Sequence, residues 1–474
     1  MRHRSAVLIA LSALLGACAN PAGLASRLQA TQPASLAAAR SLGTPGADWP
    51  VANWWTAYGD PQLNRLVDRA LRDNPGLALA QARIDKARAQ AGAVAASDGP
   101  QVSANAESSR QRLSGNYIYP PSLAGGYTSI NRAALDLSLE LDLWGRNRAA
   151  LDAALGRGRA AEAEAAGTRL ALAGAVTQAY LQFDRLHHLR DVAEATVRQR
   201  EKLQDLVRLR HKAGLDNNAE TLQAAGSIAA AQAERRALDT QLDAVRHQLA
   251  ALVGQGPDAG LDLTPPAIAA AAAARLPDSL PADLLGRRPD VVAQRWRVEA
   301  SQRDSDAARA EFYPNINLNA FIGLQSLGLS NLAEGGSRII GAGPALHLPV
   351  FDSGRLRAGL ASRHADQDAA IAQYNSTLLG ALQEVADALS DWRGAAAEAR
   401  EQQVALSRYE EAWRLTETRY RAGLTPYTAV LAAETPLLAQ RRLSADLRSR
   451  QLEASASLAR ALGGGTLPAP SALH

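Results

Sequence analysis

The feature that most constrains this chain is a proline-free run of helical composition that extends for more than one hundred residues. It opens after Gly145, continues to Lys212, breaks at Gly214 and resumes as far as Gly254. Glycine readily adopts the left-handed conformation that ends many helices, so Gly214 predicts a turn between two helices. At 1.5 Å per residue the first helix would be roughly 95–100 Å long. A helix of this length is far longer than a globular domain needs, so the hairpin is expected to span a distance.

Local signals support this helical hairpin. Asn217 follows the break and Glu220 comes three residues later, which is the pattern of a capping box at the start of the second helix. In the first helix, apolar residues step by four, three, four and three positions, a spacing typical of coiled coils. These residues are Leu172, Val176, Ala179, Phe183 and Leu186.

The same unit returns later in the chain. A separation of 209 positions relates Gly145 to Gly354, and the same separation relates Gly214 to Gly423. The constant offset predicts an internal repeat without net insertion inside the rods. Chance similarity between two alanine-rich helices is the alternative, but it would not place the two breaks at equal distances from the two starts.

Segments 100–144 and 314–351 change to a two-residue period. Apolar residues alternate with Asp136, Ser138 and Glu140 in the first segment and with asparagines in the second. Each segment therefore predicts a β-hairpin with one apolar and one polar face. The apolar positions are Leu135, Leu137, Leu139, Leu141 and Leu143 in the first copy, and Ile316, Leu318, Ala320, Ile322, Leu346, Leu348 and Val350 in the second.

Strands with one apolar and one polar face are typical of a transmembrane barrel. Four strands per chain cannot close a barrel, and open sheet edges are not tolerated in lipid. The chain is therefore expected to oligomerise and complete the barrel. A soluble hairpin packed on the helices would also explain the alternation, but it would leave the long rods without a purpose.

The N-terminus has the features of a secretory signal that ends in a bacterial lipobox. Arg2 and Arg4 precede a short apolar core, and Leu15-Gly16-Ala17 precede Cys18. Cys18 is the only cysteine, so an intrachain disulfide is impossible and lipidation is predicted. An ordinary signal peptide with an incidental cysteine is the alternative. Ala19 in the next position favours sorting to the outer membrane.

Composition argues against nucleic-acid binding and against catalysis. The formal net charge is +4, and the arginines are scattered among acids instead of clustered. His187-His188 lies inside a rod without a nearby cysteine or carboxylate cluster, so no metal site is predicted there. The glycines at 463–465 follow a helix and therefore stop it, where a phosphate-binding loop would open one. We predict no enzyme activity and no cofactor.

Several stretches together resemble the outer membrane factors of bacterial tripartite export systems, the TolC-like efflux proteins, and most closely their lipoprotein (NodT) branch. The matching stretches are Trp54-Trp55 to Pro75, Arg288-Pro289-Asp290 to Phe312-Tyr313-Pro314, the breaks at Gly214 and Gly423, and Gly463-Gly464-Gly465. The resemblance implies an α+β fold in which a homotrimer forms a long-helix α-barrel continuous with a transmembrane β-barrel. It also implies a periplasmic adaptor protein and an inner-membrane pump as partners.

The predicted organisation has two repeats joined by a linker. It comprises a signal peptide (1–17), a lipid-anchored tether (18–51), a first repeat (52–255) with its helical hairpin at 145–253, a linker (256–285), a second repeat (286–465) with its helical hairpin at 354–462, and a tail (466–474).

The resemblance places functional residues at the two helix breaks. The adaptor is expected to contact the tips, which are Gly214, Leu215, Gly423 and Leu424. The periplasmic gate, where many relatives carry aspartates, falls at Glu220, Thr428, Ala429 and Ala432. Except for Glu220, none of these gate residues carries charge, so we expect the closed end to be held by packing of small residues.

The start and course of the gate helix are also predicted. Thr425-Pro426 has the pattern of a cap followed by a first-turn proline, and Pro436 should bend or loosen the helix. Glu434 lies about 200° around the helix from Ala432, so it should point elsewhere.

The predicted function is that of a passive exit duct in the outer membrane for drugs or other small toxic molecules. An exit duct for protein secretion and a structural periplasmic lipoprotein without a pore are the alternatives. Nothing in the sequence selects the substrate, which the resemblance assigns to the pump.

Overall fold

The computed structural model describes residues 20–32, 36–37, 41, 50–269, 287–352 and 354–465. The predicted signal peptide, Cys18, the tail and much of the linker lie outside these residues. The seven long helices of the described part are α1 (Pro61–Asp73), α2 (Pro75–Ser97), α3 (Arg146–Lys212), α4 (Asn218–Leu252), α5 (Pro289–Ala310), α6 (Arg355–Arg421) and α7 (Tyr427–Ala461). Its four strands are β1 (Gln101–Arg112), β2 (Tyr127–Leu141), β3 (Asn315–Leu327) and β4 (Arg338–His347).

The two helical hairpins have equal dimensions. Helices α3 and α6 contain 67 residues each, and α4 and α7 contain 35 residues each. At 1.5 Å per residue the longer helices measure about 100 Å. The equal lengths of corresponding helices confirm the internal repeat.

The breaks between the rods are helix ends of the Schellman type. Gly214 has a φ of 71°, the Leu215 N–H donates to the Arg210 carbonyl at 2.9 Å, and the Gly214 N–H donates to the His211 carbonyl at 3.0 Å. Gly423 has a φ of 77° and ends α6 in the same way. A side chain at this φ would be strained, which is why both breaks use glycine. The predicted left-handed ends are confirmed.

The two shorter rods begin differently. In α4 the predicted capping box is confirmed. The Asn217 side chain accepts from backbone N–H groups of the first turn, and the Glu220 carboxylate accepts from the backbone N–H of Asn217. In α7 the prediction was wrong. Pro426 is itself the N-cap, with an extended ψ of 161°, and the helix starts at Tyr427. The residue before a proline is disfavoured in the helical region, so Thr425 stays outside the helix. Helix α7 then continues through Pro436.

The strands form one antiparallel sheet in the order β1-β2-β3-β4. Pairing of β2 with β3 joins the two repeats, and β1 and β4 are left as the edges of the single chain. The register aligns apolar residues across the whole sheet. The rows on this face include Val102–Leu137–Ala320–Ala342 and Ala104–Leu135–Ile322–Ile340.

The predicted apolar face is therefore present, but it is not covered by the rest of the chain. Leu135 is 51% exposed, Ile322 57% and Ile340 80%. The strands are slightly shorter than predicted: β2 ends at Leu141 and β4 at His347, so Leu143 and Val350 lie in the connections to the rods. After β2 the chain turns immediately, because the Leu143 N–H donates back to the Leu141 carbonyl at 2.8 Å.

The short elements near the N-terminus pack into an apolar core at the middle of the rods. Trp54, Trp55 and Tyr58 of a short 3-10 helix are buried with apolar residues of α1 against α3. Asp60 caps α1 and also accepts from the Tyr180 hydroxyl at 2.7 Å and the Ala267 N–H at 2.8 Å. Burial by itself raises the pKa of Asp60, but these hydrogen bonds outweigh it and hold the pKa below its usual value.

The described part of the tether, residues 20–32, lies along α6. The Asp368 carboxylate accepts from the Ser26 hydroxyl at 2.6 Å and from the Arg27 and Leu28 N–H groups at 2.9 and 3.0 Å. Further along, the Asn375 side chain accepts from the Thr31 N–H at 2.8 Å. The tether is thereby fixed to the second repeat of its own chain.

Candidate functional site

The tips of the two helical hairpins carry exposed apolar side chains beside the glycine turns. Leu215 is 66% exposed and Leu424 is 70% exposed. Leu209 and Leu222 on the first hairpin are similarly exposed. At Gly214 nothing lies near the position that a Cβ would take. At Gly423 only an arginine nitrogen does, 3.8 Å away. Apolar side chains in such a position are available for contact with another protein.

The two tips are tied together by a group that the sequence analysis did not find. Arg210 donates to both carboxylate oxygens of Asp216 at 3.0 Å. Tyr420, on the other hairpin, donates its hydroxyl to Asp216 at 2.7 Å, and its backbone carbonyl accepts from Arg210 at 3.3 Å. The guanidinium also lies 4.7 Å from the centre of the Tyr420 ring. We call Arg210, Asp216 and Tyr420 the tip triad.

The tip triad is sheltered from solvent, which strengthens its charge interactions. The Arg210 and Asp216 side chains are 13% and 6% exposed. The hydrogen bonds from Arg210, followed by that from Tyr420, hold the pKa of Asp216 below its usual value. Burial, together with the hydrogen bond to Asp216, raises the pKa of Tyr420. The carboxylate is therefore ionised and the phenol neutral at ordinary pH.

A small core supports the triad from above. Tyr420 and Tyr427 are fully buried with their ring centroids 5.8 Å apart. They pack with Leu203, Val207, Ala224 and Val430, and with the two tyrosines the cluster contains residues of all four rods. The rods are therefore packed together at the tip, and the tip triad lies beside this apolar core.

A second polar link lies about three helical turns from the tip triad, between α3 and α7. Glu434 is 1% exposed; it accepts from the Gln199 side chain at 2.8 Å and from Arg200 at 3.0 Å. Arg200 also donates to the Ser227 carbonyl on α4 at 2.7 Å. Breaking one partner of a buried ion pair leaves an uncompensated charge, so this link holds three rods in one arrangement.

The predicted gate residues occupy a different face of α7. Val430, Glu434 and Leu437 are buried against the other rods, whereas Thr428 and Ala432 are exposed and Ala429 is half-buried. Glu220 is half-buried, and its carboxylate serves the cap of α4. The structure therefore places Thr428 and Ala432 on a face of α7 that this chain leaves open.

The polar face of the sheet has its own charged cluster. Asp136 accepts from Arg132 at 3.1 Å on the same strand and from Asn105 of β1 at 2.8 Å.

Within the described residues, no group of three His, Cys, Asp or Glu side chains is placed to hold a metal ion. No described helix combines the length and apolar character that crossing a bilayer requires.

Rods of about 100 Å beneath a sheet with one apolar and one polar face define a class of outer membrane channel that extends into the periplasm. Comparison with known proteins agrees. The family model for outer membrane efflux proteins matches residues 66–255 and 280–464. The chain belongs to this outer membrane efflux protein family.

Individual relatives cover most of the chain. It is 34% identical over 463 residues to the multidrug resistance outer membrane protein MdtP of Escherichia coli K12, spanning 93% of this chain and 92% of that protein. It is 37% identical to the fusaric acid resistance protein FusA of Burkholderia cepacia, over 75% of this chain and 68% of that protein.

The fold is that of a solved outer membrane protein. The crystal structure of the outer membrane protein VceC from Vibrio cholerae superposes with a TM-score of 0.82 and 35% identity, over 88% of this chain and all of that one. The predicted fold class, outer membrane location and efflux function are confirmed. The placement of the adaptor and gate residues remains a prediction.

Proposed function

We propose that three copies of this chain form a passive exit duct for small toxic molecules, delivered by an inner-membrane pump through a periplasmic adaptor. The duct itself performs no catalysis. Its sheet would contribute four strands to a twelve-stranded barrel, and its rods would form the wall of a periplasmic conduit.

The unfinished sheet carries this proposal. Strands β1 and β4 each have one neighbour in the single chain, while the apolar face remains exposed along all four strands. Unpaired strand edges are costly in lipid, so the sheet has to be closed by strands from other copies. The apolar face then meets lipid and the polar face lines a water-filled lumen.

Conductance of the purified full-length protein in a planar bilayer tests the proposal. A trimer by mass and discrete conducting steps are expected. A protein that stays monomeric and insulating after insertion would instead be a structural periplasmic lipoprotein.

We also propose that Cys18 carries lipid, although it lies outside the described residues. The nearest described residue, Asn20, accepts a hydrogen bond from Arg357 in the first turn of α6, directly below β4. The described part of the tether thus begins near the membrane end of the rods. Cys18→Ala should abolish incorporation of a radioactive fatty acid, while trimers still form because the barrel is a separate anchor. Absence of label from the wild-type protein would exclude lipidation.

The exposed tips are proposed to contact the adaptor. Gly214 and Gly423 leave bare backbone beside Leu215 and Leu424, and an apolar patch of this kind fits a partner's helical hairpin. Photo-cross-linkers at positions 215 and 424 should therefore capture an adaptor in cells. Leu329, 68% exposed in the β3–β4 loop, is a matched control that should capture none. Capture from Leu329 but not from the tips would exclude this docking site.

The gate is proposed to lie on the open face of α7. In a trimer, Thr428 and Ala432 would face the axis, and small uncharged side chains would close the conduit by packing. This assignment is supported by the burial of Glu434 on the opposite face, where it cannot contribute to a ring of acids at the axis.

A further inference from the structure

The luminal face of the sheet is mostly polar and carries one aromatic ring. Its other large apolar side chains in the described strands are Ile130, Leu327 and Ile339. The register places Ser103, Asn105 and Glu107 of β1 on the same face as Arg132, Asp136 and Ser138 of β2. On β3 this face carries Asn315, Asn317, Asn319 and then Phe321. Phe321 is the only aromatic side chain on this face among the described strand residues, and it remains 38% exposed.

The Phe321 ring extends over the neighbouring strand at a position where that strand has a glycine. Phe321 pairs directly with Gly341 of β4, and a Cβ at Gly341 would come within 2.6 Å of the ring. An aromatic ring over a cross-strand glycine covers exposed backbone and fixes the ring in place. The outer atoms of the ring make this contact, and the ring as a whole stays partly exposed to the lumen.

Charged groups surround the free part of the ring. The Arg132 guanidinium lies 5.8 Å from the ring centroid and is held there by Asp136, which also binds Asn105. Glu107 is the cross-strand partner of Arg132 in the register. Two carboxylates therefore accompany one guanidinium, so the surroundings of the ring have a net negative charge. In a trimer this arrangement would occur three times at one level of the barrel.

We propose that Phe321, with Arg132, Asp136 and Glu107, forms a luminal contact ring for planar aromatic cations that leave through the barrel. The exposed ring offers a stacking surface, and the excess of carboxylates attracts positive charge. The site is shallow and shared among three copies, so it detains a passing molecule briefly without retaining it. This inference rests on the proposed trimeric channel.

Ethidium, a planar aromatic cation, is a suitable probe with the purified full-length trimer in a planar bilayer. The measured quantity is the lifetime of each interruption of the ion current. Phe321→Leu keeps an apolar cover over Gly341 but removes the aromatic face, and it should shorten the lifetime by about threefold to tenfold. Phe321→Tyr keeps the aromatic face and should change it by less than about twofold.

Matched controls separate stacking from charge and from folding. Ile322 lies on the lipid face of the same strand, so Ile322→Val should leave the lifetime unchanged. Interruptions by spermidine, a cation without an aromatic ring, should not respond to Phe321→Leu. Asp136→Asn removes one carboxylate per copy and should shorten the lifetime of both cations, which tests the charge requirement even if Phe321→Leu does not assemble.

Two results would overturn the inference. Equal ethidium lifetimes in the wild type and Phe321→Leu would mean that the ring only covers Gly341. Lifetimes unaffected by Asp136→Asn would mean that the charges do not contribute. A wild-type protein without any conductance is a different outcome, since it would reject the proposed channel itself.

Discussion

Replacing Asp216 with alanine is expected to loosen the tip and raise the conductance of the closed channel. The substitution leaves the sheltered Arg210 without its carboxylate and the Tyr420 hydroxyl without its acceptor. Removing one partner of a buried ion pair costs about 3–5 kcal/mol. Local opening of the tip would then be about a hundredfold to a few thousandfold more frequent. Amide hydrogen exchange at the tips and single-channel conductance both measure this change.

An exposed acid on α3, the helix that carries Arg210, provides the control. Asp205 is 75% exposed and lies 3.9 Å from an exposed Arg208, so its pair contributes little. Asp205→Ala should therefore leave exchange and conductance near the wild-type values. Equal behaviour of the two variants would show that the tip triad does not hold the hairpins together.

Acid should have the same effect as the Asp216 substitution, within a defined pH range. The pKa of Asp216 is lower in the folded protein than its usual value near 3.9, chiefly because of the hydrogen bonds from Arg210. Its stabilisation is complete above about pH 5 and is lost as the pH falls through the folded pKa. Conductance controlled by the triad should thus be constant between about pH 5 and 8 and rise only in stronger acid. The alanine variant should lack this acid response.

Replacing Ala432 with aspartate is expected to create strong block by divalent cations from the periplasmic side. The wild-type gate face carries Thr428 and Ala432, so divalent cations should block the wild-type channel weakly. Three carboxylates converging on the axis would supply the oxygen ligands that such cations prefer. The concentration for half-block should fall by at least about tenfold, as the titration of single-channel current would show.

Ala432→Asn is the appropriate control, because it has nearly the same shape as aspartate and no charge. It should leave divalent block weak. Strong block of the wild-type channel that does not respond to changes at Ala429 or Ala432 would place the relevant acids elsewhere and reject this gate assignment.

The turns and the cap at the tip were predictable from the sequence, but the tip triad was not. The glycine turns and the capping box follow from residues within a few positions of each other, so their patterns are visible in the sequence. The contact between Asp216 and Tyr420 joins residues 204 positions apart, and no local pattern reports it. One signal was available: at the repeat offset of 209, Arg210 corresponds to Arg419, but Asp216 corresponds to Thr425. The acid is thus present at the first break and absent at the second, but the two repeats differ at many positions, so this difference alone does not identify its partner.

The sequence by itself determined the rods, their breaks, the repeat and the two faces of each strand. These features depend on the backbone preferences of single residues and on periodicity, which act over a few positions. Only the tertiary structure decided that β2 pairs with β3, that Glu434 turns toward Arg200, and that Asp216 joins the two hairpins. Such choices depend on which distant surfaces meet when the apolar faces are buried, and side-chain contacts made at that point leave no periodic trace in the chain.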